Sequence, residues 1–146
     1  MTLRSAQQMR DHAHAVARAF GVTLMEIDSM QPDEAMAVGM LSAAVCAPIT
    51  DETTYAVALH ELGHLIAPGG AVRDSSTRGN LGLTLHEEEA AWAWARYIAL
   101  EWTPVMEQCV AAWALSTYQD AQQQQQRHEQ KQQKPPTKAI NWNDWR

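Results

Sequence analysis

The chain has 146 residues, 46% of them hydrophobic and 19% charged, with a formal net charge of −6. That is enough apolar chain for one domain with a real core, and it excludes a peptide, a collagen-like fibre and a wholly disordered polymer. The charge is uneven: residues 1–120 carry 6 basic and 15 acidic side chains and residues 121–146 carry 5 and 2, so an acidic body precedes a basic tail. Phosphate backbones are bound through Lys and Arg, and nucleic acid is therefore not expected as the main partner.

Leu3, Ala6, Met9, Ala13, Val16, Ala17 and Phe20 recur at three- and four-residue spacing, which predicts an amphipathic helix over Thr2–Phe20, stopped by Gly21. Charges scattered through this segment leave no continuous apolar run of the signal-peptide kind, so a cytoplasmic location is expected. His12 and His14 lie about 200° apart around that helix and cannot converge on one ion, and they read as surface histidines. Val22–Ile27 is followed by a loop around Met30–Glu34 and then by Ala35–Ile49, fifteen uncharged residues. This stretch is shorter than the ~20 residues that span a bilayer, and no membrane partner is expected. Breaks at Gly39, Ser42 and Pro48 make it two short strands.

Thr50 or Asp51 caps a helix that runs through Tyr55, Leu59 and Leu62 and ends before Pro68-Gly69-Gly70. A loop follows over Pro68–Leu83 and includes Arg73, Asp74 and Arg78. Thr84 with Glu87 reads as a capping box that opens a helix to about Glu101. Thr103-Pro104 opens the last helix, with Met106, Cys109, Val110, Trp113 and Tyr118 turned inward. Eight glutamines between Gln122 and Gln133 mark a low-complexity tail, read as a helical extension to about Gln130. Trp142 and Trp145 are too aromatic for a purely solvating end and suggest docking on the body or on a partner. Cys46 and Cys109, the only two cysteines, are too few for a stapled secreted domain and read as reduced, buried thiols.

The chemistry is concentrated in His60-Glu61-Leu62-Gly63-His64, an H-E-x-x-H on a helix that the surrounding pattern predicts independently. Four residues of helix leave His60 and His64 about 40° apart and ~6 Å along the axis, so both imidazoles can reach one ion, while Glu61 points ~100° away, where a general base belongs. With this chain's composition such a motif arises by chance in roughly 2% of sequences. Gly63, in a helix interior that disfavours glycine by about 1 kcal/mol, calls for a close backbone neighbour. A catalytic zinc ion takes three protein ligands. The metzincin spacing is excluded, since Ala67 and Gly70 stand where its glycine and third histidine belong.

The remaining donors are Asp74, His86, Glu87, Glu88 and Glu89. Glu88 shares an apolar strip with Leu85, Ala91, Trp92, Ala95 and Ala99 and is preferred; Glu89 comes next, and His86 is a weaker ligand or a substrate contact. Tyr55, Tyr97, His86 and Arg73 are the candidates for an oxyanion stabiliser. The ordinary reading of the two tyrosines is core packing, as it is for Trp92, Trp94, Trp102 and Trp113.

From Thr54 to His64, and again at Glu87–Ala95, the sequence resembles the ImmA/IrrE group of gluzincin-type metallopeptidases, common in phages and mobile elements. Their glutamate helix carries Glu-Ala-x-x-Phe-Ala; here Glu88 is followed by Glu89 and by Trp92-Ala93. The resemblance implies an α+β, mostly helical zincin-like domain with a small β-sheet beside the motif helix, Zn2+ on His60, His64 and Glu88, and Glu61 as the catalytic base. It also implies a protein substrate, in some members a helix-turn-helix repressor encoded nearby. On this reading residues 1–120 form the metallopeptidase domain and 121–146 an appendage. The competing expectation is a phage-type protein-binding module that keeps a structural or vestigial zinc site.

Overall fold

The computed structural model describes residues 5–68 and 81–133. The expectations for the loop after Pro68, including Asp74 and Arg73, and for Trp142 and Trp145 lie outside the described residues. The chain divides into two units, Met1–Ala112 and Trp113–Arg146. The first unit therefore ends earlier in the chain than the change of composition after Asp120.

Helix α1 (Ala6–Ala19) starts from a capping box, in which the Ser5 hydroxyl accepts from the Gln8 amide and the Gln8 side chain accepts from the Ser5 amide. Its buried residues are Met9, Ala13, Val16 and Ala17, whereas Ala6 and Phe20, also in the predicted stripe, are exposed. Gly21, at φ 71°, ends the helix: the Gly21 amide donates to the Arg18 carbonyl and the Val22 amide to the Ala17 carbonyl. Strands β1 (Thr23–Glu26), β2 (Met36–Val38) and β3 (Ala43–Cys46) form one sheet in the order β1-β3-β2, with β1 and β3 parallel and β2 and β3 antiparallel. The apolar run 35–49 thus supplies two strands, as its breaks suggest. Leu24 pairs with Ala44, and both are buried. Small alanines on β3 let helix α2 (Glu52–Ile66) pack against the sheet, and α1 packs on β1.

Helix α2 is capped by Asp51, whose carboxylate accepts from the Thr54 amide at 2.8 Å. Helix α3 (Leu81–Ile98) packs on α2, and helix α4 (Pro104–Gln133) begins as its Thr-Pro start implies, the Thr103 hydroxyl accepting from the Met106 amide. Residues 113–133 of α4 are the described part of the second unit. The architecture is α+β and mostly helical, with the small sheet against the motif helix. Among the described residues no helix is long and apolar enough to cross a membrane.

Several local expectations are corrected. Helix α3 begins at Leu81, so Thr84 lies inside it rather than at its cap, and it ends at Ile98; leucines 81 and 83, good helix formers, carry it a turn further back. The helical extension expected to about Gln130 is present, with α4 reaching Gln133. His12 and His14 are half-buried rather than free on the surface, because α1 lies against both α2 and β1. The His12 Nδ1 is 2.7 Å from the Tyr55 hydroxyl, which also accepts from the Leu100 amide, and the His14 Nε2 is 2.8 Å from Glu26. Tyr97 is no core residue; it stands 84% exposed. Trp102, half-buried, donates from Nε1 to Glu107, which also takes a two-pronged pair from Arg96. Both cysteines are free, Cys46 buried and Cys109 only half-buried.

Glu26 joins three parts of the fold, accepting from Arg10 at 3.0 Å, His14 at 2.8 Å and the Ile49 amide at 2.8 Å. Burial alone would raise its pKa, but these bonds outweigh burial and hold it below the usual 4.5. A carboxyl that is more acidic folded than unfolded stabilises the protein above its unfolded pKa. That contribution is lost as pH falls through 4.5 towards the folded value. Glu26→Gln should therefore lower stability at pH 7 by about 1.5–3 kcal/mol, the usual range for hydrogen bonds to a charged group, and flatten the loss of stability on acidification. Urea titrations of both proteins between pH 3 and 7 check this, and parallel curves would count against it.

Candidate metal centre

His60 and His64 lie one turn apart on α2, both buried, and Glu88 comes to them from α3. The Glu88 Oε2 is 2.8 Å from His60 Nε2 and 3.0 Å from His64 Nε2, and the two Nε2 atoms are 3.2 Å apart. Ligand atoms held at ~2.0–2.1 Å by one tetrahedral ion are roughly 3.3 Å apart, so this triangle has close to the required dimensions. Two neutral imidazoles and a carboxylate are also the donor set that borderline divalent metals such as zinc take. These three residues can therefore hold a metal ion.

The approach of α3 to α2 depends on Gly63. A Cβ built there would lie 2.7 Å from the carbonyl oxygen of Ala91 and 3.0 Å from its Cα, so only glycine permits this separation. Ala91 is three residues beyond Glu88, so the same close crossing that needs Gly63 carries Glu88 to the histidines. Glu88 faces inward with buried Ala91, Trp92 and Ala95. Glu89 and His86 face solvent and take no part in the triangle. Glu89, second in preference, is therefore not one of the three. Of the residues considered for an oxyanion stabiliser, Tyr55 is fully buried with its hydroxyl engaged, and Tyr97 and His86 are exposed.

Glu61 lies beside the triangle, its Oε1 4.0 Å from His60 Nε2. Burial pushes its pKa up to about 7, with the carboxylate of Glu88 adding to the rise and His64 opposing it. Glu88 itself is pushed up by burial but pulled further down by hydrogen bonds from His60 and His64, to about 2. Burial lowers the pKa of His60, against the pull of Glu88, which favours the neutral imidazole that binds metal. A divalent cation at the triangle would draw Glu61 back towards its carboxylate form.

Trp92 is buried, as the core reading expects, but that reading did not pair it with His60. Its ring stacks on the imidazole of His60, with centroids 3.9 Å apart and planes at 24°. The available signal was its spacing, four residues after Glu88 on the same apolar strip. Trp94, by contrast, meets Phe20 edge-on. Comparisons with protein-family models, with curated proteins and with solved structures give no match.

Proposed function

We propose that this protein is a metal-dependent hydrolase that cleaves peptide bonds. More particularly, we read it as a zinc metallopeptidase of the ImmA/IrrE type, whose motif the segments Thr54–His64 and Glu87–Ala95 resemble. One observation carries the reading: a glutamate from a second helix completes the two histidines of an H-E-x-x-H while the motif's own glutamate stays outside the triangle. A purely structural zinc site normally takes four protein ligands, whereas three leave a position for chemistry.

His60, His64 and Glu88 would hold the ion. Zinc, when bound, lowers the pKa of water from ~15.7 towards ~7 and polarises the scissile carbonyl. Glu61 accepts the proton of that water on its carboxylate and returns it to the leaving amine. Without metal, burial holds Glu61 towards its protonated form, and a bound cation would return it to the carboxylate that accepts a proton. The substrate is a protein, and a helix-turn-helix repressor encoded nearby is the first one to test, in the cytoplasm of the cell that makes the chain.

The decisive comparison is Glu61→Gln, which keeps the shape of the side chain and removes the base. Wild type and variant should each carry one zinc by elemental analysis. Cleavage of the neighbouring repressor, or of an unbiased peptide library, should fall by about 10²–10⁴-fold in the variant. Equal cleavage by both proteins, or zinc in both with turnover in neither, would overturn the reading; the second result is the one expected of a binding module with a structural ion.

A further inference from the structure

We propose that Trp92 is a positioning residue for the metal centre, holding the imidazole of His60 at the angle that aims its Nε2 at His64 and Glu88. The inference rests on the reading of His60, His64 and Glu88 as a metal site. Trp92 and His60 are both buried, and their rings are stacked. Tilting the His60 ring out of this plane means displacing an indole in a packed interior that has little room to yield. The Nε2 of His60 must meet two atoms at 2.8 and 3.2 Å, so a small rotation of its ring opens the triangle.

Helix α3 thus delivers two things from one face: a ligand at Glu88 and, one turn later, a flat wall for the ligand opposite. An imidazole that donates its electron pair to a cation becomes electron-poor, and an aromatic face attracts it more strongly. The stack is therefore stronger when an ion is bound than when the site is empty, so Trp92 contributes to affinity as well as to packing. A leucine would fill much of the same volume without offering a flat π-face, and a phenylalanine would offer the face.

The test compares Trp92→Phe with Trp92→Leu, using Co2+ as the probe in competition with a chelator. The leucine variant should bind Co2+ about 10–100-fold more weakly than wild type, the range for losing an outer partner of a metal ligand, and its visible absorption should report altered ligand geometry. The phenylalanine variant should recover most of the affinity and the wild-type spectrum, while the two metal-free variants melt alike. Wild-type affinity in the leucine variant, or an equal loss in both variants, overturns the proposal. A second readout needs only the phenylalanine variant: Zn2+ uptake should change the tryptophan emission of wild type, and most of that change should vanish without Trp92. Equal changes in both would overturn the proposal too. A wild type that takes up neither ion defeats the metal-site reading itself, a result distinct from wild-type uptake with no dependence on residue 92.

Discussion

Gly63→Ala is expected to destabilise this protein, although in an ordinary helix interior the same exchange stabilises by about 1 kcal/mol. The reversal follows from what the new methyl meets. Its nearest neighbours are the carbonyl oxygen and Cα of Ala91, at 2.7 and 3.0 Å, and these are backbone atoms with no flexible end to swing aside. The helices α2 and α3 must separate by several tenths of an ångström in an interior where Leu59 and Leu62 of α2 and Ala91 and Ala95 of α3 are all fully buried. Overpacking of this kind typically costs 1–3 kcal/mol, which outweighs the propensity gain. Because Glu88 travels with α3, metal binding should weaken in step with stability. Thermal melts with and without Zn2+ test both effects, and a variant that melts at or above the wild-type temperature would show that the crossing is looser than described.

Glu88→Ala is expected to have the largest effect on metal uptake. It removes one of three donors, so the loss of affinity should exceed the 10–100-fold that accompanies loss of an outer partner of a ligand. Without metal, the deletion leaves His60 and His64 buried with their shared carboxylate gone, and stability at neutral pH should fall as well. That component has a defined pH signature. Glu88 is held at about 2, so its stabilising bonds are present above the unfolded value of 4.5 and disappear as pH falls from 4.5 towards 2. Wild type and Glu88→Ala should therefore converge in stability at the acid end of a metal-free titration. Glu89→Ala and His86→Ala serve as controls, since both residues face solvent and should leave zinc uptake unchanged. Uptake that depends on His86 or Glu89 and not on Glu88 would relocate the third ligand.

Much of the candidate site was legible in the residue order because its parts are local. The spacing of His60 and His64 places both on one helix face whatever surrounds them, and Gly63 signalled a close neighbour before that neighbour could be named. Glu88 was separable from Glu87 and Glu89 by the company it keeps, an apolar strip that had to face inward. Strand breaks at Gly39 and Ser42 were similarly readable, and β2 and β3 flank them. The histidines of α1 were misjudged because helical facing says only that they diverge. What each meets depends on α2 and β1 arriving from elsewhere in the chain. The start of α3 was misjudged for a related reason: a Thr and a Glu three apart satisfy the capping pattern equally well inside a helix.

The sequence by itself therefore determined what a few consecutive turns of backbone impose: the helix that carries the motif, the pair of imidazoles on one face, the glutamate beside them and the acidic character of the body. Only the tertiary structure decided the rest. The distance from Glu88 to the histidines is set by two helices touching at Gly63 and Ala91, 28 positions apart in the chain. The stack of Trp92 on His60 and the anchoring of Glu26 by Arg10, His14 and the Ile49 amide are of the same kind. Periodicity fixes which way a side chain faces, whereas the partner it meets depends on long-range packing, which local spacing does not encode.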